Sequence, residues 1–304
     1  MNELTQSRRE TVDAIVKPYE IRSGKNFSLS NIDPGSTGAY DSSDKSDAKR
    51  ALETGIKWLA EEQSVLYAQD QWGLLLIFQA RDAAGKDSTI KHVMSGFSPQ
   101  GCSVESFKQP SDEELDHDFM WRHHAHVPGR GHIGIFNRSY YEEVLVTRVN
   151  PEILERQKIP PAKITKDIWK ERFQDINRFE KYLFRNGFIT VKFFLHVSRE
   201  EQKKRFMERL DRPDKNWKFS SSDLQARNNW DQYTQAYEEM IENTAKKHAP
   251  WYVVPADNKW YTRMVVAAAI IKTIDNLDLH YPKVTDEQIH MLNEAREQLT
   301  SEPE

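Results

Sequence analysis

The chain has 304 residues, of which 38% are apolar and 30% charged, a balance typical of a globular protein. A net charge of −4 argues against a general nucleic-acid binder or a protein of anionic membranes. The single cysteine, Cys102, excludes an internal disulfide. Because the N-terminus lacks the apolar core of a signal peptide and no apolar run approaches the roughly 18 residues of a membrane span, we predict a cytoplasmic protein.

The N-terminal part of the chain combines a polar segment with a helical pattern. Residues 23–47 are rich in Ser, Gly, Asp and Asn, which predicts a loop or extended arm. A helical pattern follows at residues 49–69 and leads into an apolar strand at residues 74–78. We predict an N-terminal arm or loop at residues 1–48, one domain at residues 49–282 and a C-terminal tail at residues 283–304.

The stretch after this strand, QARDAAGKDSTIKHVM, predicts a phosphate-binding loop (P-loop). A strand, a small-residue loop with Gly-Lys and a helix place backbone N–H groups, the helix N-terminus and a lysine around phosphate oxygens. Ala80 replaces the usual first glycine, and Asp87 stands where Ser or Thr usually serves magnesium. Asp82 would repel phosphate unless a cation lay between them, so we interpret it as a metal ligand or proton acceptor. The predicted phosphate ligands are Ala84, Gly85, Lys86, Asp87 and Ser88, the alternative being a tight turn with a solvated Lys86.

The rest of the chain alternates strands and helices. Further strands are predicted at residues 102–107, 133–136, 188–196 and 251–255. Helices are predicted at residues 113–124, 140–148, 166–185, 198–244 with one break, and 259–277. This alternation predicts an α/β fold with a five-stranded parallel sheet covered on both faces by helices. The apolar residues 264–271 could serve the core or an interface.

A second group of polar residues follows the strand at residues 133–136. Asn137 stands where an acidic magnesium ligand usually follows such a strand, and Arg138 could bind phosphate oxygens with its planar guanidinium. Glu142 and Glu143 could restore the missing negative charge. The alternative is that Ser139-x-x-Glu142 is a capping box, which would hold Glu142 at its own helix N-terminus.

Residues 199–218 carry eight Lys or Arg against five acidic residues, which favours a mobile lid at about residues 203–228. Arg205, Arg209 and Arg212 share one helix face by their spacing, and the alternative is a solvated charged surface. Four further basic residues lie near predicted helix starts or strand ends, and each taken alone indicates surface charge more than a ligand. They are Lys91, Lys108, Arg122 and Arg178. The histidines His117, His123, His124 and His126 fit no common zinc spacing.

Several ordered blocks, among them QARDAAGKDSTIKHVMSGFSPQG, GRGHIGIFNRSYYEEVL and RLDRPDKNWKFSSSDLQARNNWDQYTQAYEEM, resemble the polyphosphate kinase 2 family from about residue 50 to 280. The resemblance implies a thymidylate-kinase-like P-loop kinase fold with a helical lid. It also implies that the chain transfers the terminal phosphate of inorganic polyphosphate to a nucleotide with Mg²⁺, or with Mn²⁺ in its place. The sequence NRSYYEE is similar to the branch that accepts both AMP and ADP. The family further suggests a homodimer or homotetramer.

The resemblance also assigns roles to individual residues. Asp82 resembles the loop aspartate that activates the acceptor phosphate and serves the metal, and Lys86 the phosphate-binding lysine. Arg138 matches the arginine of an Asp-Arg-Ser motif whose aspartate is Asn137 here, which moves the expected second metal ligand to Glu142. The predicted catalytic residues are Asp82, Lys86, Arg138 and Glu142, the first and last also being the metal ligands. The phosphate set adds Lys91, Arg178, Arg205 and Arg209, and the predicted nucleotide set is Asp82, Lys108, Asp116, His117, Arg122 and Asn137.

Two other functions are compatible with the sequence. An ATP-dependent nucleotide kinase would use the same fold with a triphosphate as donor. A non-catalytic polyanion-binding protein would account for Ala80, Asp87 and Asn137, whereas Asp82, Lys86 and Arg138 together argue for an enzyme.

Overall fold

The computed structural model describes residues 3–41 and 43–302, which form six strands and thirteen α-helices. The strands are β1 (Glu20–Ile21), β2 (Gly73–Ala80), β3 (Cys102–Ser106), β4 (Ile133–Asn137), β5 (Phe188–His196) and β6 (Trp251–Pro255). The helices are α1 (Glu3–Val16), α2 (Lys45–Gln69), α3 (Lys86–Val93), α4 (Asp112–Asp116), α5 (Trp121–His124), α6 (Glu142–Val149), α7 (Glu152–Glu155), α8 (Ile168–Arg185), α9 (Arg199–Leu210), α10 (Ser221–Asn228), α11 (Trp230–Thr244), α12 (Lys259–Asp275) and α13 (Asp286–Thr300).

The strands form one mixed sheet in the order β1-β6-β5-β2-β4-β3. Strands β2 to β6 pair in parallel, which confirms the predicted α/β fold class and its five parallel strands. The structure adds a sixth strand, β1, which pairs antiparallel with β6 at the edge of the sheet. Because β1 has only two residues, it is too short to show the alternation that identifies a strand in a sequence.

The apolar sequence of β2 is explained by its position in the middle of the sheet. Its residues 74–78 are completely buried between β4 and β5 and beneath helices. Helix α12 contacts α1, α2 and α3, and its residues 264–271 are buried within the chain. This segment therefore belongs to the core.

The sheet also brings the predicted site residues together. Phe78 of β2 pairs with Asn137 of β4, so the loop after β2 and the turn after β4 start side by side. Strand order reverses around β2, and in open parallel sheets ligands bind outside the carboxyl ends of the strands at this switch point.

The helix predicted at residues 113–124 is wrong in its continuity, because the structure has two short helices, α4 and α5, in its place. The side chain of Asp118 between them accepts a hydrogen bond from Met120 N at 2.9 Å, and such local bonding competes with helix continuation. The Ser111 capping box fixes the start of α4 at Asp112.

Helix α1 packs on the core, whereas helix α13 lies exposed. Within the predicted arm at residues 1–48, α1 packs on α12 and Arg8 forms an ion pair with Asp275 at 2.6 Å. Helix α13 buries none of its residues.

The domain boundaries stay a prediction, and residues 1, 2, 42, 303 and 304 lie outside the described residues. Among the helices of the described part, none is long and apolar enough to cross a membrane.

Candidate active site

The loop between β2 and α3 has the backbone geometry of an anion site. Gly85 precedes α3 with φ of 100°, a left-handed conformation that glycine adopts without the steric cost of a side chain. Helix α3 begins at Lys86, so the N–H groups of its first residues have no partner within the helix. These donors and the positive end of the helix dipole open into a cavity of about 650 Å³.

Asn137 bonds to the first two residues of α3, directly after this loop. Its Oδ1 accepts from Lys86 Nζ at 2.5 Å, and its Nδ2 donates to Asp87 Oδ1 at 3.0 Å. Burial, followed by the positive charge of Arg138, lowers the pKa of Lys86. Burial alone would raise the pKa of Asp87, but the Asn137 hydrogen bond and Lys86 together lower it. An amide suits this position because it can accept from a cation and donate to an anion at the same time.

Arg138 joins the two predicted metal ligands. Its Nη2 lies 3.1 Å from Asp82 Oδ1, and its Nη1 lies 3.3 Å from Glu142 Oε2. The Glu142 carboxylate raises the pKa of Arg138, so the guanidinium is fully charged. Arg138 has φ of 65°, an uncommon conformation for a residue with a side chain and one that clusters at functional sites. Ser139 does not cap α6, since the N-cap residue is Tyr141 and has no side-chain cap bond.

Arg205 of α9 supports the phosphate loop from behind. Its Nη1 donates to the carbonyl oxygens of Ala83 and Ala84, and its Nη2 donates to those of Ala256 and Asp257. Its Nε donates to Glu201 at 2.8 Å. All five guanidinium donors are therefore used within the protein. Phosphate binding by Arg205 stays a prediction, whereas its contacts fix the loop to the end of β6.

Two cavities meet at this edge of the sheet. The phosphate cavity, the 650 Å³ cavity over the loop, is lined by nine Lys or Arg residues and four Asp or Glu residues. The second cavity, of about 500 Å³, lies toward α5 and α6 and is lined by four Lys or Arg and seven Asp or Glu residues. The two cavities share six lining residues, namely Asp82, Phe107, Lys108, Gln109, Arg138 and Asp223.

The remaining predicted residues divide by their position around these cavities. Lys108, His117 and Arg122 line the second cavity, and Arg122 donates to Glu114 Oε2 at 3.3 Å. Arg209 lines the phosphate cavity and lies 3.5 Å from Asp223 of α10. Ser88 also lines the phosphate cavity and accepts from Arg263.

Three predicted residues lie elsewhere. Asp116 is exposed and pairs with Lys158, and it lines neither cavity. Lys91 is exposed on α3, and Arg178 is exposed on α8, where it binds Asp175 and Gln174. Neither basic residue lines a cavity, so the structure does not bring either of them to the site.

Sequence reasoning missed Arg81, which lines the phosphate cavity from the loop itself. Its guanidinium packs 3.8 Å over the ring of Trp230, and burial lowers its pKa to about 10. The signal was present, because Arg81 stands directly beside Asp82 in the loop. Further missed lining residues come from the region after α9 and from the start of α12, and they are Lys215, Trp217, Lys218 and Lys259.

The donor set can be tested for a divalent metal. Asp82 and Glu142 present carboxylate oxygens that converge on Arg138, and Mg²⁺ in phosphoryl-transfer sites is held by one or two carboxylates plus phosphate oxygens. Both side chains supply the carboxylate oxygens that a hard cation requires, and in this structure each is bound to the Arg138 guanidinium. The described residues contain no group of three or more His, Cys, Asp or Glu that could hold a metal alone. His123 is buried against Phe107, and burial lowers its pKa to about 3.

Comparison with known proteins places these features in a family. The sequence model of the family described as Polyphosphate kinase 2 (PPK2) matches residues 42–282. The chain is 45% identical to the ADP-polyphosphate phosphotransferase of Rhodopseudomonas palustris over 93% of this chain and 98% of that protein. It is 40% identical to the AMP/ADP-polyphosphate phosphotransferase of Meiothermus ruber over 88% and 96%. The crystal structure of polyphosphate kinase 2 from Arthrobacter aurescens TC1 superposes with a TM-score of 0.80 at 40% identity, covering 90% and 95% of the two chains.

Proposed function

The chain belongs to the polyphosphate kinase 2 family, and from this we propose that it transfers the terminal phosphate of inorganic polyphosphate to AMP and ADP, giving ADP and ATP. GMP and GDP are further candidate acceptors. The observation that carries the proposal is the position of Asp82 and Arg138, which line both the basic phosphate cavity and the second, more acidic cavity. Phosphate groups bound in the two cavities would therefore meet beside these two residues.

The charge of the cavities supports the assignment of donor and acceptor. Polyphosphate is a chain of negative charges, and the excess of basic residues in the phosphate cavity would neutralise it. The second cavity has the size of a small-molecule site and offers few cations, so it suits a nucleotide with a short phosphate tail. Lys108 and Arg122 would bind the acceptor phosphates there. Lys108 lies at the junction, the place where the two cavities share lining residues.

The proposed chemistry needs alignment and charge neutralisation. An oxygen of the acceptor phosphate attacks the terminal phosphorus of polyphosphate in line, a P–O bond to the acceptor forms, and the anhydride bond to the shortened chain breaks. Lys86 and the N–H groups of the loop hold the donor, while Arg138 stabilises the negative charge on the transferred group. Asp82 orients the acceptor at the junction. No side chain needs to form a covalent intermediate.

Asp82 and Glu142 would hold the divalent metal, for which we propose Mg²⁺, with Mn²⁺ as a substitute. When bound, the ion would neutralise charge on the transferring phosphate. We also propose a homodimer or homotetramer, which the exposed apolar residues Ile289, Leu292 and Leu299 of α13 support. A cytoplasmic location is supported by the single cysteine.

The proposal is tested by incubating the protein with long-chain polyphosphate and Mg²⁺, and with AMP or ADP offered separately. We expect ADP from AMP and ATP from ADP, and no product from the Lys86→Ala variant. The Lys91→Ala variant is the matched control, because Lys91 lies on the same helix outside both cavities. Phosphorylation from ATP but not from polyphosphate would contradict the donor. An Asp82→Asn variant that keeps both binding and turnover would contradict the assigned junction.

A further inference from the structure

A fully buried ion pair lies behind the turn that carries Arg138 and Glu142. Glu180 of α8 and Lys192 of β5 have 0% exposed side chains, and Lys192 Nζ lies 2.7 Å from Glu180 Oε2. Lys192 also donates to the carbonyl oxygen of Thr244 at 2.8 Å and to the hydroxyl of Tyr141 at 3.0 Å. All three ammonium donors therefore have acceptors within the core.

The carboxylate of this pair is bound to two neighbouring tyrosines. Tyr140 and Tyr141 both donate their hydroxyl groups to Glu180 Oε1, at 3.0 and 2.7 Å. Both side chains are buried and lie directly between Arg138 and Glu142 in sequence. The same pair of charges therefore fixes Tyr140 and Tyr141, two of the three residues that separate Arg138 from Glu142.

Stability alone is a weak explanation for such a pair. Removing two charges from water is costly, and replacing a buried ion pair by apolar residues is often neutral or stabilising. The turn that the pair fixes, however, contains a strained residue, Arg138, whose φ is 65° and whose N–H donates to Phe78 O at 3.0 Å. Strained conformations persist only where surrounding contacts determine them.

We propose that Glu180 and Lys192 are positioning residues that hold Arg138 and Glu142 in reacting geometry through the hydroxyl groups of Tyr140 and Tyr141. This inference rests on the proposed function, because it takes Arg138 and Glu142 as groups that touch the transferred phosphate. A small displacement of the turn would separate Arg138 from Asp82, while the groups proposed to bind the two substrates, Lys86 and the loop N–H groups for the donor and Lys108 and Arg122 for the acceptor, lie outside the turn. The expected loss is therefore in kcat and not in the KM for either substrate.

The Tyr141→Phe variant tests this proposal, since it removes the hydroxyl and leaves the charged pair in contact. The chain supplies a matched control in Tyr252, a buried tyrosine that donates to Glu20 at 3.0 Å, where Glu20 pairs with Lys272 at 3.1 Å. This second Tyr–Glu–Lys group lies at the β1 edge of the sheet, away from the site. We expect Tyr141→Phe to lower kcat about tenfold with KM unchanged, whereas Tyr252→Phe keeps kcat within about twofold.

A second measurement reads the position of Arg138 without turnover. In ¹⁵N-labelled protein, we expect the Nε–H signal of Arg138 to shift and broaden in Tyr141→Phe but not in Tyr252→Phe. Equal kcat in the two variants, or a loss that follows Tm in both, would overturn the proposal. So would wild-type kcat in a folded Glu180→Leu/Lys192→Met double variant. If the wild-type protein transfers no phosphate, the proposed function fails, while the Arg138 signal still decides the positioning role.

Discussion

The ammonium group of Lys86 lies 2.5 Å from Oδ1 of Asn137, so the phosphate-loop lysine is bound by a neutral side chain. The amide of Asn137 also donates to Asp87. An aspartate at this position would form an ion pair with Lys86 but would face the Asp87 carboxylate at hydrogen-bond distance. The asparagine thus keeps the lysine oriented without adding a negative charge where polyphosphate is proposed to bind.

We expect Asn137→Asp to increase the response of the protein to Mg²⁺. The new carboxylate and Asp87 would repel each other, and a divalent cation relieves this repulsion. The measurement is Tm with and without MgCl₂, with Asn137→Ala as the control for loss of the amide. The gain in Tm should be larger in Asn137→Asp than in wild type, and an equal gain in all three proteins would contradict the expectation.

The pKa of Lys86 predicts a pH dependence for polyphosphate binding. Burial and the positive charge of Arg138 lower this pKa. As the pH rises, Lys86 therefore loses its proton at a lower pH than an ordinary lysine, whose pKa is about 10.4. Affinity for polyphosphate in the absence of nucleotide should therefore fall as pH rises through the lowered pKa. Lys86→Arg stays charged over this range and should lack this step. Binding curves of equal shape for the two proteins between pH 7 and 10 would show that Lys86 does not titrate there.

Arg205→Ala should destabilise the fold as well as the site. It leaves four carbonyl groups and the Glu201 carboxylate without their donor, and buried unpaired acceptors each cost about 1–3 kcal/mol. We expect the free energy of unfolding in urea to fall by about 3 kcal/mol or more. Arg212→Ala is the control, because Arg212 is exposed and pairs only locally with Asp214. A similar small loss in both variants would argue against the supporting role.

Gly85→Ala should weaken polyphosphate binding through the backbone. A Cβ at this residue would lie 3.7 Å from Arg205 Nη1, an ordinary contact, so the cost arises from φ of 100°. Strain of this kind is worth about 1–3 kcal/mol and would be relieved by moving the loop N–H groups. Calorimetric titration with polyphosphate measures the effect. Gly129→Ala, which has room for a Cβ and no left-handed φ, should bind as wild type does.

The sequence predicts the central fold well, because its signals there are local. The apolar runs of β2, β4, β5 and β6 and the Gly-Lys loop identify the strands and the phosphate site without knowledge of their neighbours. The two-residue β1 has no periodicity to detect, and it is defined only by pairing with β6. The break between α4 and α5 has a local signal in Asp118, but the helical pattern at residues 113–124 alone does not reveal it.

Within the site, the sequence indicates residue types but not the direction of side chains. Spacing predicts Arg205, Arg209 and Arg212 on one helix face, but α9 ends at Leu210 and Arg212 lies beyond it. Only the packing of α9 on the loop shows that Arg205 is buried while Arg212 is exposed. Arg178 has the same chemistry as these residues and lies on the surface of α8. The Arg138 contacts to Asp82 and Glu142 likewise depend on the adjacency of β2 and β4.

The pairing of β1 with β6 has a consequence for synthesis on the ribosome. Residues 20 and 21 pair with residues 252 and 251, and α1 packs on α12, so α1 and β1 find their partners only after β6 and α12 have been synthesised. Helix α1 and strand β1 therefore leave the ribosome well before the elements on which they pack. Until then the apolar side chains of Val12 and Val16, buried in the finished protein, are open to chaperones or to other nascent chains.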